Sequence, residues 1–311
     1  MIYIGCHLSV TDGYEAMGKT MVEFGGNTFA FFTRNPRGGR TKEITSDDAA
    51  ALCALIKREH FGPLVAHGSY TMNLCSSKPE TRQNGFEMLE QDLQRMEMIP
   101  GNLYNFHPGT HTGQGIEVGI RQIADALNSL LKPEMNTTVL LETMAGKGSE
   151  IGGTFEELAT IIEQIDCKDK MGVCFDTCHT WDAGYDVVND FDGVLKQFDD
   201  IIGLDRLKAV HFNDSKNPCG SHKDRHEKLG QGFIGLENQD YDGLFDDLFQ
   251  EYTASAELER VKTSNMGTLY DLEYKIVLKD EHQLKAFLDE LRCRNGNLNI
   301  TCGRPVTKEA L

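Results

Sequence analysis

No apolar run in the 311 residues approaches the length needed to cross a bilayer, so a membrane-spanning helix is excluded at the outset. The N-terminal Met1-Ile2-Tyr3-Ile4-Gly5 lacks the basic segment and apolar core of a secretory signal, and is expected to be a strand of a cytoplasmic protein. No short cysteine framework is present either. The 9 cysteines are an odd number scattered from Cys6 to Cys302, which excludes a small disulfide scaffold and points to free thiols in a reducing compartment. No low-complexity linker and no internal repeat divides the chain. Positive charge is also scarce: 31 Lys and Arg stand against 48 Asp and Glu, a formal net charge of −17. A generally basic, nucleic-acid-coating surface is thereby excluded, because phosphate neutralisation supplies most non-specific affinity. A local basic groove is not excluded, and bound divalent cations would offset several of the acidic side chains.

The hydrophobic fraction of 40% and charged fraction of 25% are those of a soluble globular chain, long enough for one large α/β barrel with an appendage or for two ordinary domains. Short β-rich runs recur at 2–8, 27–32, 63–67, 102–107, 137–143, 171–179 and 207–214. They lie roughly thirty to forty residues apart, the repeat of a βα unit. Helical patterns fit between them at Ser46–His60, Pro79–Met98, Gly119–Leu131 and Phe155–Ile165, the first with Ser46 as N-cap and Asp47 and Asp48 in its first turn. The expected fold is a TIM-type (β/α)8 barrel over residues 1–252, preferred to an open doubly wound sheet. Its eighth unit is weak, with only Tyr252–Val261 available as the strand after a helix at Tyr241–Glu251. Residues 253–311 read as a small α+β module of β-β-α-β order, with Leu269–Lys279 alternating apolar and polar, a helix at Glu281–Arg294 and a last strand at Leu298–Cys302.

Nearly every one of these strands ends in a group that can bind a metal. His67 closes LVAH, His107 closes YNFH, Glu142 closes VLLE, Asp176 and His179 close VCFDTCH, and His211 lies in KAVHFND. Asp224 and His226 follow in DRH. Strand ends converge on one face of a TIM barrel, and imidazoles mixed with carboxylates there suit zinc, with manganese or iron as alternatives. Cys174 and Cys178 are spaced C-x3-C, but Asp176 and His179 beside them are better placed as ligands. His7 and His111 read as supporting residues, and His222 as a solvated loop residue.

The segments HGSYTMNL, NFHPGTHTGQG, LLETMAGKG, FDTCHTWDAGYD and HFNDSKNPCGSHKDRHEKLGQGFIG, with IGCHLSV and FFTRNPRG before them, closely resemble the motifs of endonuclease IV, in the family's order and over roughly residues 1–240. The resemblance implies that His67, His107, Glu142, Asp176, His179, His211, Asp224 and His226 are ligands to three zinc ions, with Mn2+ or Fe2+ an alternative at one site. It implies that Glu142 bridges two ions and takes part directly in catalysis, the third ion being held by His179, Asp224 and His226. The implied activity is hydrolysis of double-stranded DNA on the 5′ side of abasic sites, leaving a 3′-hydroxyl, together with removal of blocked 3′ ends; no membrane or protein partner is implied. Arg37 and Tyr70 stand where the family contacts DNA, while Thr71 replaces a bulkier apolar residue expected beside Tyr70. The family's ninth ligand, a glutamate ending the eighth strand, has no matching segment, and Glu257 in TASAELERV comes at about the right distance. The stretch from Glu257 to Arg304 weakly resembles an uncharacterised domain at the C-terminus of some bacterial membrane proteins. Two other functions compete: a xylose-isomerase-like sugar isomerase or epimerase on the same barrel, which the acidic charge suits, and a catalytically impaired DNA-binding relative lacking the eighth-strand glutamate. Ligand number separates the first from the endonuclease, because DRH supplies a third site.

Overall fold

The computed structural model describes residues 2–38, 43–235, 243, 245–264, 269–294 and 300–303. They divide into two compact units, Met1–Ile234 and Gly235–Leu311.

The first unit is built on one sheet of seven strands in sequence order, β1 (His7–Leu8), β2 (Ala30–Phe32), β3 (Val65–His67), β4 (Leu103–Phe106), β5 (Thr138–Glu142), β6 (Met171–Asp176) and β7 (Leu207–His211). Every neighbouring pair is parallel. Helices α1 (Tyr14–Glu23), α2 (Ser46–Arg58), α3 (Pro79–Met96), α4 (Ile116–Leu130), α5 (Phe155–Glu163), α6 (Thr177–Ala183) and α7 (Phe191–Ile201) alternate with the strands. In α4, Ile120, Ile123, Ala124 and Leu127 form the buried stripe that helical periodicity requires. Strands β4 and β6 are buried along their whole length, as parallel strands covered on both faces must be.

Two capping details differ from the sequence expectation. Thr45, not Ser46, caps α2, its side chain accepting from Asp48 N at 3.2 Å. The Asp48 carboxylate is turned instead to α1, accepting Tyr14 N at 2.7 Å and Glu15 N at 2.9 Å, because the residue before α1 is Gly13 and has no side chain to offer.

Side-chain parity along the strands positions the site. Leu103, Leu140 and Cys174, with Val65 and Ala209, pack together on one face of the sheet. Two residues further along each strand, on the same face, come His67, Asn105, Glu142, Asp176 and His211. The apolar layer is the floor, and the polar layer above it lies at the strands' C-terminal ends.

Three expectations are corrected. The first strand is confined to His7–Leu8 instead of Ile2–Leu8. The seven-stranded sheet has no eighth member among the described residues: the segment expected to supply it forms β10 (Thr253–Ser264), which pairs antiparallel with β11 (Leu269–Leu278). The polar and apolar alternation of these strands suits a half-exposed ladder and not a strand buried on both faces. Glu257 therefore sits in that ladder opposite Lys275, exposed, and does not end a barrel strand. The compact division falls at Ile234 and Gly235 instead of at 252, because α8 (Asp246–Tyr252) packs with the hairpin. Phe249 lies 4.6 Å from the Tyr274 ring, and Tyr252 lies 5.5 Å from Phe287 of α9 (Leu284–Arg294). The β-β-α order is present; of the last expected strand, residues 298 and 299 lie outside the described residues and Ile300–Cys302 form none. Between β7 and α8, the short strands β8 (Asp214–Ser215) and β9 (His226–Glu227) pair antiparallel within the first unit.

Glu97, just past α3, ties that helix to the start of β5. Its carboxylate accepts from Thr137 N at 2.9 Å, Thr137 Oγ1 at 2.6 Å, and Asn136 N and Nδ2 at 3.0 Å and 3.1 Å. Partial burial would raise its pKa, but these bonds outweigh it and hold the group below the usual carboxylate value. A depressed folded-state pKa gives stability that is present above the unfolded value of about 4.3 and is lost as pH falls through the folded value. Glu97→Gln is expected to cost about 1–2 kcal/mol at neutral pH, and urea titrations at pH 7 and below pH 4 should show the gap from wild type closing in acid.

Candidate metal centre

Glu142, at the end of β5, is 1% exposed and is surrounded by imidazoles. Oε2 lies 3.0 Å from His67 Nε2 and 3.5 Å from His107 Nε2, while Oε1 lies 3.0 Å from His211 Nδ1, which is 3.9 Å from Asp176 Oδ2. A further set forms at the mouth of α6: His179 Nε2 is 3.1 Å from Asp224 Oδ1 and 3.1 Å from His226 Nε2. Taken in threes, His67 with Glu142 and His211, His107 with Glu142 and His179, and Asp176 with His179 and His226 each bring ligand atoms within 4.8 Å of one another. His179 Nδ1 also lies 3.5 Å from Glu142 Oε1, but it donates to Thr143 O at 2.9 Å, so Nε2 is the nitrogen free to bind a metal.

A backbone carbonyl orients His67 in the same way. His67 Nδ1 donates to Gly68 O at 2.7 Å, which leaves Nε2 to face a Glu142 oxygen at 3.0 Å. At about 3 Å, a proton or a metal ion must lie between each such nitrogen and the carboxylate oxygen it faces. Two ligands of a tetrahedral zinc with bonds of about 2.0–2.1 Å stand roughly 3.3–3.4 Å apart. The separations of 3.0–3.5 Å around Glu142 and His179 bracket that value, and the donors are the nitrogen and oxygen ligands such an ion takes. The residues therefore fit divalent metal ions.

The charge balance agrees. Burial would raise the Glu142 pKa, but His211, His107 and the bond from His67 hold it well below the usual range. Burial lowers His107 to about 3. Burial would also lower His179, but Asp176, Asp224 and Glu142 raise it to about 10, and His211 is raised well above its ordinary value by Glu142 and Cys174 against the same burial. Asp224 resists its own burial and falls to about 2 through its bond with His179. The carboxylates thus favour a positive charge on His179 and His211, and a metal bound there competes with their protons.

Each sequence-expected ligand is found in this cluster, Asp224 through its contacts with His179 and His226. Burial pushes the Cys174 and Cys178 thiols up to about 11 and about 12, which disfavours thiolate. His7 packs its ring 4.7 Å from Phe32, and His111 Nδ1 accepts from Gly113 N and Gly115 N, so both shape their surroundings. His222 is exposed, as expected of a loop residue, and its Nδ1 donates to Ala145 O at 2.7 Å. Tyr70 stands half exposed at the rim, its ring 5.5 Å from His67 and 5.3 Å from His107. Exposed Arg37 is on the neighbouring loop, which is joined to Tyr70 where Tyr70 N meets Pro36 O at 3.0 Å.

Sequence reasoning missed Asn105, which donates to Glu142, and Asn213, which donates to Asp176 at 2.6 Å. It also missed Asp182. Each lies two or three residues from a ligand, at strand or helix spacing, and that proximity was the available signal.

The model of the family described as "Xylose isomerase-like TIM barrel" matches residues 19–274. The chain is 57% identical over 235 residues to "Probable endonuclease 4" of Akkermansia muciniphila, covering 76% of this chain and 85% of the relative. It is 56% identical over 237 residues to "Probable endonuclease 4" of Clostridium beijerinckii, covering 76% and 86%. The chain belongs to the endonuclease IV family. Among solved structures, endonuclease IV from Thermus thermophilus aligns at 32% identity with a TM-score of 0.67, over 75% of this chain and 84% of that one. No helix among the described residues is long and apolar enough to cross a membrane. The endonuclease IV likeness leaves about a quarter of the chain unmatched.

Proposed function

We propose that this chain hydrolyses the phosphodiester on the 5′ side of abasic sites in double-stranded DNA, leaving a 3′-hydroxyl, and clears blocked 3′ ends. The observation that carries this reading is the buried Glu142 carboxylate, with one oxygen facing His67 and His107 and the other facing His211. His67, His107 and Glu142 would hold one ion, Glu142, Asp176 and His211 a second, and His179, Asp224 and His226 a third. Zinc suits these donors, with Mn2+ or Fe2+ an alternative at one site. Divalent ions bound there supply a water activated at neutral pH and positive charge for the phosphoryl and leaving oxygens.

The chain's own residues do the rest. Asn105 and Asn213 orient the carboxylates through their amide donors. Tyr70, beside His67 and His107, is a flat surface against which an extruded abasic sugar or its neighbour can rest, and extrusion costs least where no base is stacked. Arg37 is placed to meet a backbone phosphate. The described cysteines are all free, which accords with action in the cytoplasm.

The test is cleavage of a duplex bearing one abasic-site analogue, with and without chelator, alongside metal analysis of the purified chain. The expected result is nicking 5′ to the site, abolished by chelation, with about three ions per chain. Nicking indifferent to chelator would overturn the reading. Bound metal without nicking would favour the impaired relative, a reading that the seven-stranded sheet and the position of Glu257 support.

A further inference from the structure

The third ligand set is not on the barrel strands. His179 is on α6, Asp224 is on the excursion between β8 and β9, and His226 opens β9 itself. These pieces must be brought into register by something other than the sheet. Asp182, fully buried at 0% exposure, is one helical turn beyond His179 on the same short helix. Its Oδ1 accepts from Ser215 Oγ at 2.6 Å, its Oδ2 from Asp224 N at 2.8 Å, and its backbone O from His222 N at 2.9 Å.

Each contact fixes part of the set. Ser215 is the Cα partner of His226 across the β8–β9 pair, so holding Ser215 places His226. Asp224 and His222 both have φ of +53°, the left-handed region that non-glycine residues rarely occupy. Both donate their backbone N–H to Asp182 in that conformation. Neighbouring bonds reinforce the anchor: Gly220 N reaches Trp181 O at 3.0 Å, and Trp181 Nε1 reaches Asn217 O at 2.9 Å. The Asp182 carboxylate is thus committed to this loop through both of its oxygens.

We infer that Asp182 is a positioning residue that assembles the His179, Asp224 and His226 set, so that one metal equivalent depends on it while those sharing Glu142 do not. The inference rests on the three-ion reading above. An asparagine at 182 carries no charge and has one side-chain acceptor, so both charge-assisted bonds weaken, and the Ser215 hydroxyl, which donates to the aspartate, must turn round to accept from the N–H2.

The experiment loads the full-length chain with Zn2+, removes excess, and reads the ions bound by native mass spectrometry and by chelator competition. Wild type is expected to hold about three ions. Asp182→Asn is expected to hold about two, with the third weakened by about 10–100-fold, the usual cost of losing a residue that orients ligands. Combined with Glu142→Gln, it should leave none. Ser215→Ala keeps the Asp224 bond and should weaken the third ion by less than about tenfold. It also decides the matter if Asp182→Asn does not fold, because an unchanged third affinity in Ser215→Ala would then overturn the inference. Three ions at wild-type affinity in a folded Asp182→Asn chain would overturn this inference alone. A wild-type chain that takes up no zinc would remove the three-ion reading with it.

Discussion

Replacing Glu142 by glutamine is expected to reduce nicking of an abasic-site duplex by more than about 10³-fold, because it removes more than the single preorganised donor whose loss typically costs about 10²–10³. The side chain is nearly isosteric, so the change is electrostatic. Its two oxygens face His67 and His107 on one side and His211 on the other, and it carries the negative charge that two neighbouring cations would share. A glutamine offers one acceptor and turns an amide N–H2 to the other side, where it opposes a metal. Metal content should fall from about three ions to about one, because the His179, Asp224 and His226 set does not use Glu142. Circular dichroism should remain near wild type, while the unfolding midpoint of the metal-loaded chain should fall, since ions that bind only the folded chain stabilise it and two of them are lost. Substantial nicking by Glu142→Gln, or a full complement of metal, would show that the proposed centre has been misassigned.

The legible parts of this chain are those in which one local rule coincides with the fold. His67, His107, Glu142, Asp176 and His211 stood out because each ends an apolar run, and a polar group ending a buried parallel strand has little reason to be there except function. Period-two parity then places all but His107, which lies just beyond its strand, above the same apolar floor. Asp224 and His226 were legible from the compact DRH triplet but not from any element, since they lie on or just after an excursion whose shape depends on Asp182. The only sequence signal for Asp182 is its place three residues after His179. An aspartate near the end of a short helix usually faces solvent, and only the burial and the three bonds to one loop reveal its part. The eighth unit is weak for a tertiary reason. Thr253–Ser264 alternates well enough for a barrel strand, but Leu269–Leu278 alternates too, and two such strands close in sequence satisfy each other first.

Arg34→Met is expected to destabilise the first unit by about 3–5 kcal/mol, the cost of leaving a buried charge without its partner. Arg34 is 3% exposed and Asp92 is 0% exposed. The guanidinium donates from Nε to both Asp92 oxygens at 3.1 Å and 3.2 Å, and from Nη2 to Oδ1 at 2.7 Å and to Met88 O at 3.0 Å. Asp92 also accepts from Arg95 Nη1 at 3.0 Å and from the Tyr104 hydroxyl at 2.9 Å. The network joins the segment just past β2 to α3 and β4. Removing Arg34 leaves Asp92 to Arg95, whose side chain is 20% exposed, and leaves the Met88 carbonyl without this donor. Arg34→Met with Asp92→Leu should recover part of the loss, because two apolar side chains of similar volume avoid the desolvation; Tyr104 would still lack its acceptor, so recovery should be incomplete. Urea midpoints for the two single variants and the double would measure the coupling. Near-additive losses would mean that the pair contributes little beyond packing. Because Arg34 directly precedes the Asn35–Gly38 turn that carries Arg37 and meets Tyr70 through Pro36, the single variant should also weaken abasic-duplex binding at temperatures where the chain is still folded, while metal content stays at the wild-type level.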